Sequence, residues 1–173
     1  MKKLLLMALI SLLLTGCSRP MYSETHQPAT TPSETTLPTE AEPPEETSPE
    51  ILLNIFVPDE NAENFNTIPT VISTADAEEI VMLLIEHSIL NIDISLNSAE
   101  IVGKQLNLDF SQTFADQLKT YGTSGERMMM GCVVNTFLSA YDAYDVESVY
   151  ITVDGEILES GHVIYDFPMS FFE

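Results

Sequence analysis

The pattern of apolar and polar positions divides the 173-residue chain into three unlike parts. Residues 4–14 form an apolar run broken only by Ser11, whereas residues 18–49 are almost entirely polar. Residues 51–173 mix both kinds of side chain in periodic patterns, and 60 of these 123 residues are apolar. Only this last part has enough apolar side chains for a core, and its length suits one domain.

The first half of this domain predicts a strand followed by a helix. Residues 51–57 form a short apolar run that is typical of a buried strand, and the polar stretch after it, to about Thr70, predicts no regular element. The helix begins after Ser73 or Thr74, either of which can cap it. Its buried side is formed by apolar residues at helical spacing: Ala77, Ile80, Val81, Leu84 and Ile85.

Two extended segments follow, joined by a tight turn. Residues 92–102 are largely apolar but interrupted near Asn97-Ser98. Residues 105–110 alternate polar and apolar side chains, as a half-buried strand does. Gly103 and Lys104 lie between them, and glycine favours the positive φ that a two-residue turn requires.

The C-terminal half predicts a second helix and a hairpin. Thr123 and Glu126 have the spacing of a capping box at the start of the helix. Its apolar face comprises Met130, Val133, Val134, Phe137 and Tyr141. Asp154-Gly155 between β-forming residues predicts a type I′ turn, and the tail over residues 162–171 is apolar enough to pack on the domain. The element order is β-α-β-β-α-β-β, which defines the α+β class.

The N-terminus predicts an export signal and a membrane anchor. Two lysines precede the apolar run, which is shorter than the roughly 20 residues that a membrane-spanning helix needs and is typical of a signal peptide over residues 1–16. The sequence Leu14-Thr15-Gly16-Cys17 resembles the lipobox of bacterial lipoproteins. That resemblance implies a lipidated Cys17 that binds the chain durably to a bilayer. The alternative is an ordinary signal peptide that happens to contain a cysteine.

The next segment, residues 17–49, is interpreted as the lipidated cysteine followed by a disordered linker. Residues 18–49 contain seven of the ten prolines, eleven serines and threonines, six acidic residues and no glycine. Such a composition cannot bury enough apolar surface to offset the entropy of ordering the backbone. At ~3.1 Å per residue it would reach on the order of 100 Å when fully extended. The folded domain is assigned to residues 50–173.

The charge excludes two classes of partner. The chain has 6 basic and 27 acidic residues and a formal net charge of −21. Residues 51–173 alone carry 3 basic against 20 acidic side chains. Nucleic acids require clustered lysine and arginine, and so does adhesion to an anionic membrane by charge. The membrane contact is therefore predicted to be made by the lipid on Cys17.

The ordered series of motifs in the domain resembles the GerMN domain, named from sporulation and spore-germination proteins of Gram-positive bacteria. The segments that carry the resemblance are Phe56-Val57-Pro58-Asp59, Gly103-Lys104-Gln105-Leu106-Asn107-Leu108-Asp109-Phe110-Ser111, Phe114, Gly122-Thr123-Ser124-Gly125-Glu126, Asn135-Thr136-Phe137 and Val149-Tyr150-Ile151-Thr152-Val153-Asp154-Gly155. The chain departs from the family after the first helix, where Glu86-His87-Ser88 leads to Asn91 without the usual Gly-Pro.

This resemblance implies an α/β sandwich, in which a mixed β-sheet has two main helices on one face, similar to the ring-building motifs of envelope machines. It implies a binding or assembly module, with no catalytic residues and no cofactor to carry over. A role in sporulation or germination is an analogy at this point, because one fold serves many functions.

Residues with catalytic potential lack a recognisable arrangement in the sequence. Ser111 is a potential nucleophile and His87 and His162 are potential bases, but no nucleophile elbow surrounds any serine. Cys132 is either a reactive thiol or, as we favour, a small apolar residue in the core. Without a nucleophile, a base and a group that orients the base, enzymatic catalysis is not expected.

An acidic loop after the second helix suggests a calcium site as a minor hypothesis. Asp142, Asp145 and Glu147 cluster there, and Ca²⁺ prefers several carboxylate oxygens. Their spacing differs from that of the helix-loop-helix calcium motif, and the histidines lack the helical spacing of a zinc pair.

The sequence thus predicts a non-catalytic lipoprotein on the extracytoplasmic face of a bacterial cell membrane. Its GerMN-like domain would bind an envelope protein or a second copy of itself through a sheet edge and an acidic surface. The alternatives are a peptidoglycan-acting hydrolase and a calcium-dependent binding lipoprotein. A two-lobed solute receptor is disfavoured, because about 123 residues supply one lobe.

Overall fold

The computed structural model describes residues 50–173. The signal peptide, Cys17 and the linker lie outside the described residues, and the predictions made for them remain predictions. The described residues form seven strands, three α-helices and a 3-10 turn. In chain order these are β1 (Ile51–Pro58), β2 (Phe65–Ile72), α1 (Ala77–Glu86), β3 (Leu96–Val102), β4 (Gln105–Phe110), α2 (Gln112–Leu118), α3 (Thr123–Ala140), the 3-10 turn (Asp142–Tyr144), β5 (Ser148–Val153), β6 (Glu156–Glu159) and β7 (Ile164–Tyr165).

The strands divide into two sheets. A five-stranded mixed sheet has the order β3-β4-β5-β6-β7, in which β4 and β5 are parallel and the other neighbours are antiparallel. Strands β1 and β2 form a separate antiparallel pair. The α+β class and the mixed sheet are therefore confirmed. The first strand, however, pairs with β2 in a sheet of its own.

Helix α3 is the centre of the core. It packs on β1 on one side and on β5 of the mixed sheet on the other. The predicted apolar face, with Val133 and Phe137 fully buried, is confirmed. The opposite face, which carries Cys132 and Asn135, is buried as well, because β1 and the chain's last residues cover it. A helix buried on several sides shows a weak periodicity in its sequence, which hides its second contact surface.

Three elements were not predicted from the sequence: β2, α2 and β7. Strand β2 occupies the stretch for which no element was expected, since only one of its eight residues is buried and it contains Pro69. Helix α2 has seven residues and follows β4 directly. Its Gln117 side chain binds the loop after α1, where Nε2 donates to Ile89 O at 2.9 Å and Oε1 accepts from Asn91 N at 2.8 Å.

These contacts explain how the loop after α1 closes without the Gly-Pro of the family. Ser88 takes φ of 60°, in the left-handed region where glycine is usual. The side-chain amide of Gln117 then forms hydrogen bonds with the backbone of Ile89 and Asn91, which follow Ser88.

Both predicted helix caps are wrong. Asp76, rather than Ser73 or Thr74, caps α1 through a hydrogen bond that its side chain accepts from Glu78 N. Gly122 precedes α3, so the helix begins one residue earlier than a capping box at Thr123 requires. Glu126 therefore lies beyond the capping position and turns into the core.

The two predicted turns are confirmed by their backbone angles. Gly103 has φ of 64° in the β3–β4 turn, and Asp154 and Gly155 have φ of 49° and 80° in the β5–β6 turn. The apolar tail packs on the domain as expected, because Met169 pairs with Val149 and the ring of Phe171 lies 5.3 Å from that of Phe56. Within residues 50–173, no helix combines the length and apolar composition that a membrane span requires.

Candidate interaction surface

The two sheets have four edges; specific contacts close the edge at β1, and one proline interrupts the edge at β2. On β1, the N–H groups of Asn54 and Phe56 point away from β2 and donate to hydroxyl oxygens of α3. The acceptors are Ser139 Oγ at 2.8 Å and Thr136 Oγ1 at 3.0 Å. On β2, Pro69 stands opposite Asn54, at a position whose backbone faces outward. Proline has no N–H to offer there, and it is a usual means of protecting an edge strand.

The edges of the mixed sheet differ from each other. Strand β7 has only two residues and offers little backbone to a partner. Strand β3 has seven residues, and six of them, from Asn97 to Val102, are exposed. It pairs with β4 on its inner side, and among the described residues no strand pairs with its outer side. Its sequence carries neither proline nor lysine, the usual edge protectors.

The register of the β3–β4 hairpin identifies the backbone groups that face outward. Val102 and Gln105 flank a two-residue turn, which places them in a hydrogen-bonded pair. Because such pairs alternate along an antiparallel ladder, Glu100 bonds to β4, whereas the N–H and C=O groups of Ala99 and Ile101 point away from it. The open part of the edge is thus centred on Glu100.

A polar cluster around Asp109 fixes the position of β3. Asp109 Oδ1 accepts from Thr152 Oγ1 at 2.7 Å and from Gly155 N at 2.8 Å, and its Oδ2 accepts from Asn97 Nδ2 at 3.0 Å. Asn97 lies at the β-bulge of β3 and also donates to Asp154 Oδ1. Partial burial alone would raise the pKa of Asp109, but its three hydrogen bonds outweigh that effect and hold the pKa below its usual range.

An acidic groove of about 450 Å³ lies beside β3. It is bounded by residues 96–99 of β3, residues 75–78 at the start of α1, and Tyr141. The carboxylates of Asp76 and Glu78 belong to exposed residues on its helix side. The Tyr141 hydroxyl donates to Ala75 O at 2.8 Å, and burial, with the charge of Asp76 as a further cause, raises the pKa of Tyr141.

Each basic side chain of the described residues already has a partner. Lys104 contacts Asp145 and Glu147, and Lys119 lies 3.4 Å from Asp116. Arg127 donates to Glu173 O at 3.1 Å and lies over the ring of Phe172. The basic residue nearest to β3 is Lys104 in the β3–β4 turn, and its ammonium is engaged by Asp145 and Glu147.

The three candidate calcium ligands do not form one set. Lys104 Nζ lies 3.2 Å from Asp145 Oδ2 and 2.5 Å from Glu147 Oε1, and these two contacts, Glu147 first, raise the pKa of Lys104. Asp142 and Glu147 line an open groove of about 650 Å³ beside β1. Across residues 50–173 no three His, Cys, Asp or Glu side chains are grouped as metal ligands would be. The calcium hypothesis stays a prediction.

Within residues 50–173, the residues considered for catalysis form hydrogen bonds to other groups and none to one another. Ser111 Oγ accepts from Ser95 N at 3.1 Å and lies 2.7 Å from Thr113 Oγ1. His162 Nε2 lies 3.3 Å from Tyr121 O. His87 follows the last residue of α1, where its backbone N–H closes the helix. These contacts are those of turns and helix ends.

Cys132 is fully buried, and burial raises the pKa of its thiol to about 12. The interpretation of this residue as a core side chain is confirmed. Cys17, the predicted lipidation site, lies outside the described residues.

Sequence reasoning missed one buried polar cluster. Glu126 is 1% exposed, and its Oε1 accepts from Tyr165 OH at 2.7 Å and from Ser160 Oγ at 2.5 Å. Burial, followed by the contact with Glu126, raises the pKa of Tyr165. The carboxylate thereby ties α3 to β7, and the local sequence, in which Glu126 fits a capping box, did not indicate this role.

The arrangement defines a class: an α+β domain in which a central helix separates a strand pair from a mixed sheet with one open edge. The family model Germane, described as sporulation and spore germination, matches residues 54–159. The match covers more than half of the chain, which therefore belongs to this family, and the GerMN resemblance of the sequence is confirmed. No curated protein matches the chain.

The solved structures that are similar to the chain include two of GerMN domains and one of a candidate lipoprotein. The tandem GerMN domains of the sporulation protein GerM from Bacillus subtilis have 17% identity over 71% of this chain and 44% of that chain, with a TM-score of 0.46. The first GerMN domain of the same protein has 15% identity over 69% and 97%, with a TM-score of 0.45. A candidate lipoprotein from Clostridium perfringens has 16% identity over 70% and 86%, with a TM-score of 0.41. The chain thus spans less than half of the tandem GerM chain.

Proposed function

We propose that this protein is a lipoprotein displayed on the extracytoplasmic face of the bacterial membrane, where its GerMN domain binds another envelope protein. The lipobox ending at Cys17 supports the anchor, and the proline-rich segment after it supports display at a distance. The observation that carries the binding function is the open outer edge of β3, which has neither the hydroxyl contacts that close the β1 edge nor the proline that interrupts the β2 edge.

The polar groups of the domain support binding over catalysis. Asp109 holds a turn and a bulge, Glu126 holds β7, and Ser111 accepts from a backbone N–H. Cell-wall hydrolysis would require a pair of carboxylates or a nucleophile positioned for the reaction, and Asp109, Glu126 and Ser111 are engaged in structural contacts instead. The family description directs the search for partners to envelope proteins of sporulation and germination.

The anchor is tested by labelling cells with an alkyne analogue of palmitate. The full chain should incorporate the label and sediment with membranes, and Cys17→Ala should do neither. Cys132→Ala is the matched control, because it removes the other cysteine and should keep the label. A labelled Cys17→Ala chain, or an unlabelled wild-type chain, would contradict the anchor.

The binding function is tested by a photo-crosslinking residue at position 101 in the full-length protein in cells. Ile101 is 40% exposed on β3, and Ile157 is 48% exposed on β6 and serves as the control position. A defined envelope protein should crosslink at position 101 and not at position 157. Release of peptidoglycan fragments by the purified chain, with no crosslink at either position, would favour the hydrolase alternative.

A further inference from the structure

We propose that the open edge of β3 accepts an extended segment of a partner protein that contains lysine or arginine, which adds to the mixed sheet as a further strand. This inference rests on the proposed binding function and names its site and the chemistry of its partner. β-Strand addition is a recurrent way in which an exposed sheet edge recognises a peptide.

The backbone supplies the affinity. Ala99 and Ile101 together direct two N–H and two C=O groups outward, enough for a short antiparallel or parallel ladder. Because β3 is an edge strand that pairs with β4 alone among the described residues, an added strand can pair on its outer side without replacing an existing one. On one face its side chains would meet the groove between β3 and the start of α1.

The charge of the surroundings selects the partner. Glu100 stands at the centre of the open edge, and Asp76 and Glu78 lie across the groove from β3. Strand β3 and the start of α1 contain no lysine or arginine; Lys104, in the turn after β3, is engaged by Asp145 and Glu147, and Lys119 and Arg127 also contact the domain's own groups. Opposite charges on neighbouring strands stabilise their pairing, so the added strand should place a basic side chain across from Glu100.

Two other occupants fit less well. A second copy could use both outward residues only if Ala99 paired with Ile101 of that copy in an antiparallel register. That register sets Glu100 directly opposite its own equivalent, and like charges there destabilise pairing. The chain's own residues 18–49 carry six carboxylates and seven prolines, which suit neither the charge nor the ladder.

The test uses the full lipidated chain in a zwitterionic detergent, with a seven-residue peptide that alternates lysine and valine as the probe. Site-resolved hydrogen exchange should show slower exchange of the Ala99 and Ile101 amides on binding. The Glu100 amide, already bonded to β4, should not change. A peptide that alternates glutamate and valine is the control and should give no protection. Binding should weaken as salt screens the charges.

Two pairs of variants locate the binding. Ala99→Pro removes an outward N–H and should weaken binding about three- to tenfold. Its control, Thr67→Pro, removes an outward N–H from β2 and should leave binding unchanged. Glu100→Lys should weaken binding at low salt by about fivefold or more. Glu60→Lys makes the same charge change in the β1–β2 turn and should have a far smaller effect.

Three results would overturn the inference: equal binding by wild type and Ala99→Pro, protection at another segment, or a dimer of the chain that Ala99→Pro dissociates. The proposed function fails separately. A partner that crosslinks in cells and is insensitive to changes in β3 would leave the binding module standing and remove this site. Binding of the peptide at β3, with no partner crosslinked in cells, would support this site and contradict the proposed function.

Discussion

The edges of the β1–β2 pair are better protected than the edge of the mixed sheet at β3. In the pair, one edge is satisfied by hydroxyl groups of α3 and the other contains Pro69 at an outward position. In the mixed sheet, β3 leaves the groups of Ala99 and Ile101 open. Strand β1 is closed along its edge and β2 is interrupted at one outward position, whereas β3 has neither form of protection. The open edge is therefore a feature to explain by function, because exposed edges promote unwanted association.

The difference also lies in how each strand is held. Strand β1 is enclosed by a helix and by the tail, so its position depends on buried contacts. Strand β3 is attached along one side only, and the Asp109 cluster fixes it from that inner side. This arrangement gives a rigid strand whose outer side stays available.

The largest expected contrast is in thiol reactivity. Cys132 is fully buried with a pKa of about 12, so at pH 8 its thiolate fraction is about a thousandfold below that of a free cysteine. In the Cys17→Ala chain, a thiol reagent should therefore modify Cys132 about a thousandfold more slowly than free cysteine. A cysteine introduced by Ala99→Cys, with Cys132→Ala, should react at nearly the free rate. Similar rates at both positions would contradict the burial of Cys132 or the exposure of position 99 on β3.

Asp109→Ala should lower the free energy of unfolding by about 2 to 3 kcal/mol, because it removes a charged acceptor of three hydrogen bonds. Urea unfolding of the two chains measures this difference. Because the pKa of Asp109 is lowered in the fold, its contribution is fully present above about pH 4 and is lost as the pH falls through the lowered value.

The difference between wild type and Asp109→Ala should accordingly shrink below pH 4. Asp109→Asn keeps one acceptor oxygen and should cost less than the alanine variant at pH 7. A difference that stays constant from pH 7 to pH 3 would show that the charge of Asp109 does not stabilise the cluster.

The elements that could be predicted from the sequence are those with a one-sided pattern or a turn that needs positive φ. Helix α1, strand β4 and the turn at Asp154-Gly155 belong to this group. Strand β2 could not be predicted, since its pairing with β1 depends on a partner distant in sequence and its exposed side chains give no periodicity. Local sequence also placed Glu126 at a helix cap, whereas tertiary packing took it into the core.

The sequence predicted the type of binding surface but not its location in the fold. An acidic surface and a sheet edge were expected from charge and element order, but the sequence could not identify which edge stays open. That outcome depends on Thr136 and Ser139, two hydroxyl residues of a helix that reach a strand about 80 positions earlier in the chain. It also depends on the phase of the β3 hydrogen bonds, which the turn at Gly103 sets.

Thr136→Val tests the closed edge of β1. The variant keeps the shape of the side chain but leaves the buried Phe56 N–H without its acceptor, which should cost about 1 to 2 kcal/mol in the free energy of unfolding. Ser139→Ala is the comparison, because its contact with Asn54 is only partly buried and water can replace it at a smaller cost. Equal stability of Thr136→Val and wild type in urea would mean that the helix does not close this edge.

The smallest effect is expected for Ala99→Pro, which should change the free energy of unfolding by less than about 0.5 kcal/mol. The N–H that it removes faces outward and makes no bond to β4. Glu100→Pro, one residue further, removes an N–H that bonds to Asn107 and should cost about 1 to 2 kcal/mol. Urea unfolding of both variants decides the phase of the ladder. If Ala99→Pro is the costlier of the two, the outward N–H and C=O groups are those of Glu100, and Ala99 and Ile101 bond to β4 instead.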